Sequence, residues 1–147
     1  SEQGKATLQK VGAFAARLKI KPDVIFHSGK LRAKQTAEIL ARSLELLDKV
    51  RERQGLGPSD DVEPVARWLR EESARGVAGI AIVGHLPFLD KLASLLVAEN
   101  EDLGVVSFQN GAIAKLVLRP TGDRYAVQWI ITKQLAEQAV YPQMHEI

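Results

Sequence analysis

Apolar residues recur every three or four positions in four stretches of the chain, which is the spacing of helices with one buried face. In residues 1–18 the repeating positions are Leu8, Val11, Phe14, Ala15 and Leu18. Ser1 is a suitable N-cap residue for this helix. The same spacing predicts further helices over residues 31–43, 61–75 and 87–96.

Short apolar runs separate these helices and predict strands. Residues 24–26 and 79–83 are almost continuously apolar, which is typical of strands covered on both faces. Residues 50–56 predict a short edge strand, and residues 121–123 predict a hairpin turn. Three later strands are expected at 105–108, 112–118 and 125–131. From Lys133 onward the sequence has no strong pattern.

The order of these elements predicts an α/β fold. Alternating helices and strands in the first two-thirds of the chain favour a mostly parallel central sheet with helices on both faces, a three-layer sandwich. The last two strands add an antiparallel hairpin near the C-terminus. The 147 residues fit a single domain, residues 1–147.

Composition and charge exclude several classes of function. No apolar run approaches the roughly 20 residues of a membrane span. The net charge is only +2 and no basic stripe carries interleaved aromatic residues, so neither a membrane nor a nucleic acid is expected as a partner. The absence of cysteine excludes disulfides, thiolate metal sites and a cysteine nucleophile. We expect a cytoplasmic protein, although cysteine-free proteins are also secreted.

The end of the first predicted strand offers an anion site. Ser28 and Gly29 break the strand, and Arg32 falls in the first turn of the next helix, whose free amide groups attract anions. A guanidinium there can bind a phosphate with two parallel hydrogen bonds. Ser28 can donate to a phosphate oxygen or simply form the turn. The alternative for Arg32, as for Lys30, is a solvated side chain on the helix surface.

A second strand end carries a histidine. Gly84 and His85 directly follow the strand at 79–83, and Pro87 opens the next helix. An imidazole in this position can donate to a phosphoryl oxygen or exchange a proton near neutral pH. The alternative is a buried histidine bonded to a carbonyl group.

The remaining titratable residues predict no further chemistry. Strand alternation points His27 away from Ser28, which favours a structural role, and His145 lies in the C-terminal tail. Asp60 and Asp61 are either general acids or, as we expect, caps of a helix. No acidic or histidine spacing resembles a metal site, and no nucleotide fingerprint is present, so we expect neither metal nor cofactor.

Four segments resemble motifs of the histidine phosphatase superfamily, which includes phosphoglycerate mutase, and in particular its short branch of SixA-type phosphohistidine phosphatases. Residues 28–37 are similar to the family's Ser-Pro-x-x-Arg-Ala-x-Gln-Thr-Ala segment, and residues 83–87 to its Val-Gly-His-x-Pro segment. Ser1–Gly4 resembles the end of a Leu-Thr/Ser-x-x-Gly segment. Residues 108–114 resemble a late Thr-Gly-Ala-Ile-Ala strand. Order and spacing are kept from Ser1 to about Ile131.

The resemblance implies a phosphatase that works through histidine. In this family a histidine attacks phosphorus, becomes phosphorylated and is then hydrolysed, while two arginines and a second histidine surround the phosphoryl oxygens. It implies that Arg32 is the second arginine and His85 the second histidine. With Ser28 as a substrate-binding residue, we expect hydrolysis of phosphohistidine on a protein or of a small phosphoester.

The chain departs from the family pattern in two places. Gly29 stands where the family usually has proline, which is expected to loosen the turn. The opening strand of the family, with the Arg-His-Gly motif that supplies the nucleophile and the first arginine, is absent from this sequence. We expect it in about 20–30 further residues that precede Ser1, the usual length of one strand and a loop.

Two other functions stay open at this point. One is a catalytically inactive domain of the same fold that binds phosphate or a phosphoprotein. The other is an unrelated α/β interaction domain with accidental motif matches, which predicts that Arg32 and His85 lie far apart. The sequence does not indicate an oligomeric state.

Overall fold

The structure, a computed structural model, describes residues 1–139. His145 therefore lies outside the described residues. In chain order the helices and strands are α1 (Glu2–Arg17), β1 (Val24–His27), α2 (Leu31–Ser43), β2 (Val50–Glu52), α3 (Glu63–Ala74), β3 (Ile80–Val83), α4 (Phe88–Ala98), β4 (Ile113–Leu118), β5 (Tyr125–Ile131) and α5 (Lys133–Gln138). A single 3-10 turn at Leu47–Lys49 precedes β2.

The strands form two small sheets. Strands β2, β1 and β3 lie side by side in that order and are parallel, with β2 at the edge as expected. Strands β4 and β5 form the antiparallel hairpin, with a bulge between Lys115 and Leu116. The predicted α/β fold, with its parallel sheet between helices and its C-terminal hairpin, is confirmed.

The core lies on both faces of the parallel sheet, because successive side chains of β1 point in opposite directions. Ile25 is fully buried against Ala37 and Ala41 of α2. Its neighbour Phe26 packs instead against the cluster around Phe88, on the side of α3 and α4. Burying one large apolar side chain such as Phe88 stabilises the fold by about 1.5–3 kcal/mol.

Helix α1 packs against α2 through a close approach of their backbones. A Cβ atom built on Gly12 would lie 2.8 Å from the Cβ of Ser43, so this position accepts only glycine without a shift of one helix. At the other end of the chain, α5 begins at an N-cap, where the Thr132 side chain accepts from the Leu135 amide at 3.2 Å. Helix α5 packs on α1, which explains why six residues without a strong pattern are helical.

Residues 105–108 do not form the predicted strand. Two side chains of α4 accept hydrogen bonds from their amides instead: Ser94 Oγ from Val105 at 3.1 Å and Asp90 Oδ1 from Phe108 at 2.9 Å. These acceptors satisfy amides that would otherwise need a neighbouring strand. The prediction of a strand at 105–108 was therefore wrong, and the segment is a loop fastened to α4.

Within residues 1–139, no helix is both long enough and apolar enough to cross a lipid bilayer.

Candidate active site

The parallel pairing of β1, β2 and β3 brings three strand ends to one edge of the sheet. His27 is the last residue of β1, and its register partners are Glu52 at the end of β2 and Val83 at the end of β3. The residues that follow are therefore neighbours in space, although they are far apart in sequence. In open α/β sheets this carboxyl edge is the usual place for a ligand.

Ser28 and His85 meet at this edge. Ser28 Oγ lies 2.7 Å from His85 Nε2, a hydrogen bond between residues 57 positions apart in the chain. Either the hydroxyl donates to an unprotonated Nε2 or a protonated Nε2 donates to the hydroxyl oxygen. Both side chains are half-buried, so a ligand can reach them from solvent.

The N-terminus of α2 faces the same turn. Lys30 is its N-cap residue, and no side chain caps the helix. The Lys30 amide donates to Ser28 Oγ at 3.3 Å, and the amides of residues 31–33 have no acceptor within the helix. Such an uncapped N-terminus carries partial positive charge and binds anions.

Arg32 lies in the first turn of α2, as predicted. Its side chain is exposed and makes no hydrogen bond or ion pair with residues 1–139. Lys30 is exposed as well. The guanidinium is therefore available to a ligand at the helix N-terminus, four residues after Ser28.

His85 is placed by a close approach between two loops. Its carbonyl accepts from the Leu89 amide at 2.9 Å, which starts α4. A Cβ on the preceding Gly84 would lie 3.4 Å from the Leu56 carbonyl oxygen, so the loop after β2 packs against this turn. Burial and, to a lesser extent, the positive charge of Lys30 lower the pKa of His85 below its ordinary value.

The conformation of Gly29 explains why this position is not proline, the usual residue of the family. Its φ is +87°, and its amide donates to His27 Nδ1 at 3.0 Å. Proline fixes φ near −65° and has no N–H, so it fits neither the conformation nor the bond. The hydrogen bond from Gly29 to His27 holds the turn where the family usually has a proline ring. This bond offsets the loosening of the turn that glycine was expected to cause.

His27 is buried, and its ring lies on the α2 side of the sheet. It lines a cleft of about 360 Å³ together with residues of α2, β2 and the preceding turn: Lys34, Glu38, Arg42, Leu47 and Val50. The ring therefore does not face the site on the same side as His85.

Asp60 and Asp61 both accept hydrogen bonds from backbone amides. Asp60 Oδ2 accepts from Gly57 at 2.7 Å, and Asp61 Oδ1 accepts from Glu63 at 3.0 Å. Asp61 satisfies the first amide of α3 from one position before the N-cap residue Val62, whereas Asp60 binds within the loop and is not the helix cap that we expected.

Arg53 is a further cation at this edge that the sequence did not single out. Its amide donates to the His27 carbonyl at 2.9 Å, which extends the pairing of β2 with β1 by one residue. Its guanidinium lies 4.1 Å from the ring centre of Trp68, and Nη1 donates to the Gln54 carbonyl at 2.7 Å. No motif marks Arg53, because the contact that fixes it comes from α3, 15 residues later in the chain.

Comparison with known proteins connects these features to a family. No protein-family model matches the chain. The phosphohistidine phosphatase SixA of Escherichia coli strain K12 is 30% identical over 106 residues, which are 71% of this chain and 63% of that protein. The chain thus aligns with less than two thirds of the length of this relative.

Solved structures show the same fold. A protein histidine phosphatase SixA complexed with tungstate superposes with a TM-score of 0.80 at 24% identity, covering 91% of this chain and 83% of the other. A putative SixA from Agrobacterium tumefaciens gives 0.73 at 19% identity, with 90% and 81% covered. This chain is therefore similar in sequence to a SixA phosphohistidine phosphatase and shares the fold of the solved SixA structures.

Proposed function

We propose that the protein is a phosphohistidine phosphatase or a phosphatase of small phosphoesters. The observation that carries this proposal is the contact of Ser28 Oγ with His85 Nε2 beside the uncapped N-terminus of α2 that bears Arg32. The name of the E. coli relative and the tungstate in the related structure support it, since tungstate is a tetrahedral oxyanion like phosphate.

The described residues suit the binding of a phosphoryl group. Arg32 supplies two parallel donors for two oxygens, and the α2 amides supply partial positive charge. His85 Nε2 and Ser28 Oγ both turn to phosphoryl oxygens when the ligand binds, and the hydrogen bond that joins them in the free protein sets their spacing for it. Because phosphoryl transfer depends mainly on positioning and on positive groups around three oxygens, such a pocket performs most of the catalytic work.

We propose that the nucleophile is a histidine on a strand upstream of Ser1, as the family resemblance implies. Ile82 of β3 and Leu116 of β4 both pack on the cluster around Phe88, yet among the described strands β3 is hydrogen-bonded only to β1, and β4 only to β5. One more strand between β3 and β4 would join the two sheets and carry its C-terminal residue to the edge where Ser28 and His85 meet.

The upstream histidine would form a bond to phosphorus as the bond from phosphorus to the substrate nitrogen or oxygen breaks. Water would then cleave the phosphohistidine and release phosphate. Arg32 and His85 hold the phosphoryl oxygens in both steps, so both steps depend on the same pocket. A cytoplasmic location and a single domain stay predictions from the sequence.

An assay of phosphate release from p-nitrophenyl phosphate and from a phosphohistidine peptide tests the proposal. For the protein with its natural upstream sequence, we expect Arg32→Ala and His85→Ala to lower kcat/KM by about a hundredfold, since bonds to a charged group contribute about 1.5–3 kcal/mol. Arg75→Ala is the matched control, because this exposed arginine pairs with Glu72 at the far end of α3.

The same experiment decides between the enzyme and an inactive phosphate-binding domain. Binding of inorganic phosphate without any turnover would favour the binding domain. Unchanged kcat/KM in both the Arg32→Ala and His85→Ala variants would contradict the proposed pocket.

A further inference from the structure

His27 is a buried histidine that the proposed phosphoryl chemistry does not use. The residue is only 4% exposed. It ends β1, and its ring points to the α2 side of the sheet, away from the imidazole of His85. Because His27 directly precedes Ser28, contacts of its ring can affect the position of the Ser28 hydroxyl.

The ring accepts a hydrogen bond from the turn that carries Ser28. The Gly29 amide donates to His27 Nδ1 at 3.0 Å, so Nδ1 is unprotonated and the ring proton lies on Nε2. The Nε2–H group makes no hydrogen bond with a described residue and lies beside the cleft that Lys34 and Arg42 also line. Among the described residues, the hydrogen bonding of the ring is therefore limited to one acceptor atom, Nδ1.

The backbone is fixed on both sides of Ser28, and this acceptor fixes the side that follows it. Gly29 is held at φ +87° with its amide turned back to the ring, and the Glu52 carboxyl group covers its other side. The His27 carbonyl is fixed as well, since it accepts from the Arg53 amide at 2.9 Å. Ser28 lies between these two anchored residues, and its hydroxyl is thereby directed at His85 Nε2, 2.7 Å away.

We propose that His27 is a positioning residue of the phosphoryl site, which acts through Nδ1 to hold the Ser28 turn against His85. The proposal rests on the proposed function for its catalytic consequence, but the positioning itself is a property of the turn. This positioning depends on a hydrogen-bond acceptor at the place of Nδ1. It does not depend on the group at the place of Nε2.

Three substitutions separate these requirements. In His27→Asn the side-chain oxygen lies the same number of bonds from Cα as Nδ1, so it can accept from Gly29. In His27→Gln the oxygen lies one bond further out, closer to the place of Nε2, and His27→Leu has a similar branched shape without an acceptor. None of the three replaces a residue of the phosphoryl pocket.

Two readouts apply to each variant. The first is the ¹⁵N NMR signal of the His85 ring, which reports the hydrogen bond with Ser28 in the absence of any substrate. The second is the affinity for inorganic phosphate, measured by titration calorimetry. Thermal unfolding of each variant shows whether the fold is retained.

We expect His27→Asn to keep the His85 ring signal and to bind phosphate within about threefold of the natural protein. His27→Gln and His27→Leu should shift that signal and weaken phosphate binding by about tenfold, the effect of one lost hydrogen bond near a charged ligand. Equal losses in thermal stability with an unchanged His85 signal in all three variants would overturn the positioning role. If the natural protein binds no phosphate, the proposed function fails, while the NMR signals still decide the role of His27.

Discussion

Gly29 and Gly76 allow a matched test of the turn at the strand end. Both have φ in the left-handed region, at +87° and +88°. An alanine in this conformation costs about 1–2 kcal/mol relative to glycine at either position. The surroundings differ: a Cβ at Gly76 meets no atom within 4 Å, whereas a Cβ at Gly29 would lie 2.8 Å from Glu52 Cδ.

We expect Gly29→Ala and Gly76→Ala to lower the free energy of unfolding by similar amounts, about 1–2 kcal/mol. The exposed end of Glu52 can swing away from a methyl group at little additional cost. An alanine at this φ is strained, however, and the backbone relieves the strain by shifting the turn, so Ser28 moves relative to His85. We therefore expect only Gly29→Ala to lower kcat/KM for phosphate release, by about tenfold, or 1.4 kcal/mol in the transition state.

Urea unfolding gives the stability change and the phosphatase assay gives the change in kcat/KM. Gly29→Pro, which installs the usual residue of the family, should lose more stability than Gly29→Ala, because it also removes the N–H that donates to His27. A Gly29→Ala variant with full activity, or a Gly76→Ala variant that loses as much activity, would refute the link between this turn and the site.

Three other predictions concern His85 and β3. Lys30→Ala should raise the pKa of His85 toward its ordinary value of about 6.5, because a neighbouring positive charge is removed; a ¹H NMR titration that finds the pKa unchanged or lower would contradict this. Because folding lowers this pKa, the contribution of His85 to stability is complete above about 6.5 and declines as the pH falls below it. In the protein with its natural upstream sequence, amides along both edges of β3 should be protected from hydrogen exchange, and rapid exchange along the edge nearer β4 would count against an inserted strand.

The sequence was sufficient to predict the elements that carry the site. Continuous apolar runs identified β1 and β3, and the turn residues after them marked the two strand ends. Parallel strands have their carboxyl ends at one edge, so the meeting of Ser28 with His85 follows from the fold class once both strands lie in the same sheet.

Contacts between distant segments could not be predicted in the same way. The Gly29 turn depends on the ring of His27 and on Glu52 from β2. The orientation of Arg53 depends on Trp68 from α3. Residues 105–108 have the composition of a strand, yet their amides bind side chains of α4, and local pattern contains no information about those acceptors.

The central claim is that one oxyanion binds between the guanidinium of Arg32 and the imidazole of His85. A crystal structure of the protein soaked with tungstate tests it most directly, because the heavy atom is located without ambiguity. We predict tungstate at the N-terminus of α2, with oxygens within hydrogen-bond distance of Arg32 and of His85 Nε2. Tungstate bound elsewhere, with the Ser28 to His85 hydrogen bond left intact, would contradict the account.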